Sequence, residues 1–368
     1  VNIIKTTAME LLDSAGRAAG ITPQRSTLPI LSNMLISKSG HNHKFIGSDS
    51  DIQVECTASL GGDDDRMATT VQAAKLLSLL KSLPSDQVVT LATDGAKLSL
   101  RAGRSKFTLQ TMPAQDFPTF REDATTTGQF VLPESVLASL IDQTQYAMAS
   151  QDTQPQFNGM FLELKGQQLT AVASDGKRMA MARVTLAESF EDQEAIIPRK
   201  TVLELRKLLG TTDKPVSVKL SLINARFEFG DVIFLTRLVS GKYVTYERAI
   251  PKNLAHCVPM NRIMLLSMMK RAALIIDDKV KTVRFKFSQG LVTILSASLN
   301  HDDGEQEAEI DYTGPDETLG IPIAQFIDCL TSFTHELVRF NFTDGKTSSM
   351  LTFAEEPEFR YLLGAYKV

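Results

Sequence analysis

No stretch of this sequence is long and apolar enough to cross a bilayer, because its longest apolar runs are only a few residues, as in IMLL at 263–266. The opening VNIIKTTAMELLDSAG lacks the basic start and apolar run of a secretory signal. Cysteine is scarce: Cys56, Cys257 and Cys329 lie far apart and form no CxxC pair. Their spacing argues against a disulfide framework or a thiolate zinc site and fits a reducing, cytoplasmic setting. Also missing are a GxxxxGK[ST] loop, an HExxH pair and a GxSxG elbow, so nucleotide hydrolysis, zinc-peptidase and serine-hydrolase chemistry have no seat. There is no excess of positive charge, since 39 Lys and Arg stand against 43 Asp and Glu, a net −4. Any nucleic-acid role must rest on a local patch.

What remains is an ordinary globular composition, 43% hydrophobic and 22% charged over 368 residues, which suggests two or three domains. The chain repeats itself. VLPESVLASL at 131–140, IIPRKTVLEL at 196–205, CVPMNRIMLL at 257–266 and GIPIAQFIDC at 320–329 share an apolar stretch, a proline and a helix-like run. The prolines, Pro133, Pro198, Pro259 and Pro322, are 65, 61 and 63 residues apart. Stepping back by the same period reaches TTVQAAKLLSLL near residue 70 and TTAMELLDSAG near residue 7. Each copy predicts a helix, over 8–19, 72–83, 133–144, 198–209, 260–271 and 322–333, with proline in the first turn of four of them. Alternating strands follow, as in VSVKLSLINARFEFGD at 216–231, with turn signals at Asp94-Gly95 and Gln289-Gly290.

Residues 113–128 and 244–257 are polar, contain proline and look like linkers. The copies therefore group in pairs, giving domains over 1–125, 126–253 and 254–368. The expected class is α+β: three similar domains, each with two helices packed on antiparallel sheets of about eight strands. The helices carry a net +4 while the rest of the chain carries −8. Basic residues on them include Lys75, Lys81, Arg199, Lys200, Arg206, Lys207, Arg262, Lys270 and Arg271. Six helices side by side in a ring leave a bore of roughly 9 Å, too narrow for duplex DNA; twelve leave roughly 28 Å, which admits it. One chain cannot encircle DNA, but a head-to-tail pair can.

Several segments carry a more specific signal: RSTLPILSNMLI at 25–36, RAGRSKFTLQTMPAQDFP at 101–118, FNGMFLEL at 157–164, AVASDGKRMAMA at 171–182, IIPRK at 196–200 and YERAIPKN at 246–253. In this order and spacing, over the whole chain, the sequence resembles the bacterial DNA polymerase III beta subunit family, the sliding clamps. The resemblance implies a ring-shaped homodimer of three-domain chains with helices lining the hole. It implies a non-catalytic processivity factor with no cofactor and no metal. Its partners would be duplex DNA, a second copy, the replicative polymerase catalytic subunit, an ATP-driven clamp loader and other clamp-binding replication and repair proteins. No membrane is involved.

By the same resemblance, Arg25 and Gln151 match family DNA contacts, and Lys75, Lys81, Arg104, Lys106, Arg199 and Lys200 are bore-lining phosphate contacts. A partner-peptide pocket between the second and third domains maps to Phe157, Ser174, Gly176, Arg178, Met179, Val244, Arg248, Ala249, Ser348, Leu362, Gly364 and Tyr366. The dimer seam maps to Phe107 and Leu109 on one side and Leu274 and Ile275 on the other, with the basic RAGRSK stretch facing the acidic HDDGEQEAE at 301–309. The chain departs from the family in three places. Pro155 and Gln156 stand where aromatics are common, Val244 replaces a proline, and the tail reads Gly364-Ala365-Tyr366-Lys367. The pocket therefore prefers a different anchor or is partly filled by Tyr366. Two rival readings are a peptide-binding repeat scaffold with no DNA role, and a metal-dependent nuclease built on Asp63-Asp64-Asp65 or on His41-Asn42-His43.

Overall fold

The computed structural model describes residues 2–61, 66–94, 96–123, 125–276 and 281–366. The Asp63–Asp65 run, Gly95 and Lys367 lie outside the described residues. The first third contains β1 (Asn2–Thr7), α1 (Ala8–Ala19), β2 (Asn33–Ser39), β3 (Asn42–Ser48), β4 (Ile52–Ser59), β5 (Met67–Gln72), α2 (Ala73–Lys81), β6 (Val88–Thr93), β7 (Lys97–Ala102) and β8 (Ser105–Gln110). The second contains β9 (Thr126–Pro133), α3 (Glu134–Thr144), β10 (Gly159–Ser174), β11 (Arg178–Pro198), α4 (Arg199–Leu208), β12 (Pro215–Ser221), β13 (Asn224–Phe229) and β14 (Val232–Arg237). The last contains β15 (His256–Asn261), α5 (Arg262–Ala272), β16 (Thr282–Ser288), β17 (Leu291–Ala297), β18 (Asp303–Glu309), β19 (Glu317–Pro322), α6 (Ile323–Thr331), β20 (Leu337–Phe342), β21 (Ser349–Thr352) and β22 (Arg360–Leu363). Among the described residues no helix is long and apolar enough to cross a membrane.

The same local chemistry recurs. Helix α1 starts at Thr7, whose hydroxyl accepts the Glu10 N–H at 3.3 Å while the Glu10 carboxylate accepts the Thr7 N–H at 3.2 Å, a reciprocal cap. Hydrogen bonds from the Thr6 hydroxyl and from Thr7 hold the Glu10 carboxyl below its ordinary range. The helix buries Leu11, Ala15 and Ala18. It sits so close to β3 that a Cβ on Gly47 would lie 2.0 Å from the Ala18 carbonyl oxygen. Proline, expected in the first helical turn, instead ends the preceding strand: Pro133, Pro198 and Pro322 are the last residues of β9, β11 and β19. Pro259 lies inside β15, opposite Arg339, and the cap of α5 is Asn261, whose side chain accepts the Met264 N–H at 2.9 Å. Proline is tolerated there because β15 is an edge strand.

Among the described residues four antiparallel sheets result, ordered β1-β6-β7-β8, β5-β2-β3-β4-β14-β13-β12-β9, β10-β11-β22-β21-β20-β15 and β18-β17-β16-β19. The two long strands β10 and β11 each serve as two, with register shifts at Gly166 marking the change. Sheets run through the repeat boundaries: β4 pairs with β14, and β11 with β22. In consequence the chain forms two compact units, Val1–Leu137 with Leu203–Leu238, and Ala138–Val202 with Val239–Val368. In the first unit Arg17 bridges to Asp231 through two bonds of 2.6 and 2.8 Å. The neighbouring Cys56 thiol is pushed up to about 12 by burial, so it stays protonated and inert.

Arg262, one of the basic helix residues, is not a surface charge. Its side chain is 9% exposed and donates to the carbonyls of His335 (2.6 Å) and Leu330 (2.9 Å), the latter in the last turn of α6. Such carbonyls lack an intrahelical donor, and a charged donor satisfies them strongly. Arg262→Met is expected to cost roughly 2–3 kcal/mol, read as a lower midpoint in urea. An unchanged midpoint rejects the capping role.

Candidate functional site

The second junction forms where β22 pairs with β11, from Arg178 opposite Leu363 to Met181 opposite Arg360. The segment after β14 crosses this seam and lays Tyr243 and Tyr246 on an apolar floor of Phe161, Val172, Met179, Met181, Ile196 and Leu362. Tyr243 stacks flat on Phe161 at 4.7 Å and meets the edge of Phe157 at 6.3 Å. Tyr246 donates its hydroxyl to Glu163 at 2.7 Å, and burial raises its pKa well above the ordinary tyrosine value. Val244, next to Tyr243 in the chain, is 38% exposed, and Arg248 and Ala249 are exposed. The result is a buried apolar cluster in which the Tyr246 hydroxyl is held by Glu163.

The turn from Ser174 to Arg178 frames it. The Ser174 hydroxyl donates to the Arg178 carbonyl at 2.7 Å and accepts the Gly176 N–H at 3.1 Å. Gly176 sits at φ 79°, where side chains are disfavoured, and a Cβ there would point at Phe157 from 3.9 Å. Thus Met179 and Leu362 lie in one apolar cluster, Phe157 meets it through Tyr243, and Gly176 faces Phe157. Ser348 lies half-buried just before β21, whose Met350 packs on the same cluster.

Two residues assigned to the pocket from sequence face elsewhere. The Arg178 guanidinium turns to Asp175 (3.0 Å) and Asp328 (2.7 Å). Burial opposes its charge, but Tyr361, Asp328 and Asp175 together outweigh that and raise its pKa. The Tyr366 backbone pairs with Gly320, and its hydroxyl meets Gln325 at 3.3 Å, so the ring does not fill the apolar floor. Sequence reasoning missed Phe161, Val172, Tyr243 and Met350. The available signal was alternation: Phe161 lies on the same strand face as Gly159 and Glu163, and Tyr243 adjoins Val244.

Strands β8 and β18 each lie at the end of a sheet. Strand β8, with Lys106 and half-exposed Phe107 and Leu109, ends one sheet; β18, reading DGEQEAE, ends another. Beside β18, Leu274 is 84% exposed, and Ile275 lies 3.4 Å from where a Cβ on Gly304 would sit. Arg271 and the Met268 carbonyl bind the Gln306 side chain at 2.7 and 3.0 Å, which fixes this end of α5 to the strand.

The profiles of the DNA polymerase III beta subunit N-terminal, central and C-terminal domains match residues 3–121, 131–244 and 247–365 in turn. The chain belongs to the DNA polymerase III beta subunit family, the beta sliding clamps. It is 34% identical over 354 residues to the beta sliding clamp of Pseudomonas aeruginosa, covering 96% of each, and 31% identical over 353 residues to that of Escherichia coli, again 96% of each. The Pseudomonas aeruginosa clamp bound to griselimycin superposes with a TM-score of 0.96 at 32% identity over 99% of both chains. The Bartonella birtlesii clamp gives 0.93 at 27% over 99% of both.

The basic residues of this clamp chain fall into separate groups. Arg25 and Lys75 line one cavity of about 470 Å³ with Asn33 and Gln72. Gln151 and Arg199 line another of about 600 Å³ with Lys177 and Arg178. Arg199 is half-buried and donates to the Met148 carbonyl at 3.0 Å, so part of its hydrogen-bonding capacity is already used. Lys81 is exposed in the last turn of α2 but roughly 120° around the axis from Lys75. Arg104 and Lys106 are exposed on the β7–β8 hairpin and Lys200 on α4. His43 of the His41-Asn42-His43 string is 1% exposed, with Nδ1 3.0 Å from the His41 carbonyl, and among the described residues no group of three or more His, Cys, Asp or Glu is placed to hold a metal ion.

Proposed function

We propose that this chain is a non-catalytic DNA sliding clamp that works in the cytoplasm as a closed, head-to-tail homodimer around duplex DNA. The observation that carries the reading is a repeated junction. Strands β4 and β14 pair from Ile52 opposite Thr236 to Cys56 opposite Val232, and β11 and β22 pair in the equivalent register. Strand β18 corresponds to β4 and β11 by sheet position, and β8 to β14 and β22. Joining β18 to β8 of a second copy repeats the junction a third time and removes both edges. In that register Gly304 faces the partner's Phe107, and Glu305 faces the partner's Lys106, opposite charges directly across the ladder. The aromatic positions agree: Phe234 and Tyr361, equivalent to Phe107, are 0% exposed within their junctions. Tyr146, which lies 5.6 Å from Tyr361, corresponds to Leu274, so Leu274 has a seat in the partner's groove of about 650 Å³ lined by Leu79, Phe107 and Leu109.

Phosphate contacts by Lys and Arg carry no sequence information, and weak contacts permit sliding. A closed ring replaces affinity by topology. Arg25, Lys75, Lys81, Arg104, Lys106, Gln151, Arg199 and Lys200 supply the weak contacts in this reading. The floor of Phe157, Met179, Val244 and Leu362 takes an anchor peptide from the replicative polymerase, the clamp loader or other replication and repair proteins. The tether makes polymerase rebinding intramolecular. The test is retention on nicked circular DNA after loading. The clamp is expected to remain on the circle in high salt and to leave when the circle is linearised. Peptide binding without loading on any DNA supports a scaffold instead, and metal-dependent strand cleavage a nuclease.

A further inference from the structure

We propose that the first junction carries a second docking cleft, specific for a carboxylate-rich peptide segment held by Arg121 and Arg237. It lies between the Ser48–Ile52 turn and the linker at 118–121 and encloses about 310 Å³. Its frame repeats that of the second junction. The Ser48 hydroxyl donates to the Ile52 carbonyl (3.1 Å) and accepts the Ser50 N–H (3.3 Å), as Ser174 does for Arg178 and Gly176. Ser50 has φ 85° where Gly176 has 79°. The Arg237 N–H bonds the Asp51 carbonyl at 3.0 Å, as Gly364 bonds Lys177 at 2.9 Å. Phe117 packs on Ile30, Leu35 and Ile46, as Tyr243 packs on the apolar floor of the second junction.

The lining chemistry is different. At the position of Met179 stands Gln53, 3% exposed, which accepts the Phe120 N–H at 2.9 Å and donates to Glu55 at 2.8 Å. That polar side chain ties the linker down where the second junction has an apolar one. In exchange, Arg237 replaces Gly364 and Arg121 replaces Glu247, so two guanidiniums line one cleft with the hydroxyls of Ser48 and Ser50. Their charges are poorly neutralised. Asp51 is 3.9 Å from Arg237, with both side chains largely exposed at 74% and 66%, a pairing of little strength. Asp49 is committed to the N–H groups of Asp51 (3.0 Å) and Ile52 (2.7 Å). Among the described residues no carboxylate pairs with Arg121, whose carbonyl is anchored by Asn224 at 3.1 Å. Planar guanidinium forks match carboxylates in a bidentate way, while Pro118 and Phe120 offer an apolar surface for the peptide stems.

The precedent rests on the peptide-pocket reading of the second junction, but the charge argument does not. The test is fluorescence anisotropy of the full chain with a labelled short peptide of aspartate, glutamate and one phenylalanine. Each of Arg121→Ala and Arg237→Ala is expected to weaken binding roughly tenfold. The amide counterpart of the peptide, with asparagine and glutamine, is expected not to bind. Val244→Asp, which disables the second junction, should leave this binding intact. Loss in Val244→Asp with retention in the arginine variants overturns the proposal, because the peptide then uses the second junction. Equal binding of the amide peptide also overturns it, as does full displacement by inorganic phosphate at the same concentration as a carboxylate competitor, which marks a simple anion site.

Discussion

Replacing Leu274 and Ile275 together by aspartate is expected to convert the protein to monomers in sedimentation velocity. Leu274 is 84% exposed in the isolated chain, a poor position for a leucine unless something covers it. Its equivalent, Tyr146, packs by Tyr361 with Cys329 close enough to perturb it. Seating two apolar side chains in the partner's groove is worth roughly 3–6 kcal/mol per seam. A ring has two seams, so one substitution pair acts twice. The variant is expected to keep its fold, because Leu274 contributes little to burial within its own chain and Ile275 is only half-buried, at the end strand β18. It should still bind anchor peptides but not remain on circular DNA. A variant that sediments as a dimer rejects the seam.

The second large effect is at the pocket. Val244→Asp is expected to weaken an anchor peptide by at least about 30-fold, since docking must strip water from a carboxylate over an apolar floor. The substitution touches a 38% exposed position, so stability and dimerisation should hardly change. Anisotropy with a labelled leucine- and phenylalanine-containing peptide reads the affinity, and sedimentation reads the dimer. Undiminished peptide binding means that Val244 does not border the site. Tyr243→Leu tests the stacked floor more gently. It keeps apolar area but loses the 4.7 Å ring contact with Phe161, and a loss of roughly threefold to tenfold is expected.

Both predictions rest on what repeats and on where the repetition is broken. Helix α1 was readable residue by residue, because Thr7 and Glu10 are a reciprocal cap and the apolar stripe that follows has helical spacing. Helix α5 was misplaced at its start, because Pro259 resembles the prolines of the other copies but sits within β15, three residues before the helix begins. The basic residues were readable as types but not as a surface. Arg262 is buried under carbonyls, Arg178 is locked between two aspartates, and Arg199 is half-buried against Met148. Side-chain type reports charge, while its availability depends on which distant backbone groups arrive beside it.

The sequence by itself determined the sixfold recurrence of helix and strands, the α+β class and the family, because capping residues, apolar spacing and turn signals act within a few residues of one another. Only the tertiary structure decided that β4 joins β14 and β11 joins β22, that Tyr243 rather than Tyr366 covers the apolar floor, and that Gln53 holds the linker at the first junction where Met179 packs in an apolar cluster at the second. Those outcomes turn on hydrogen-bonding edges and on side chains brought together from far apart in the chain, which no local pattern encodes.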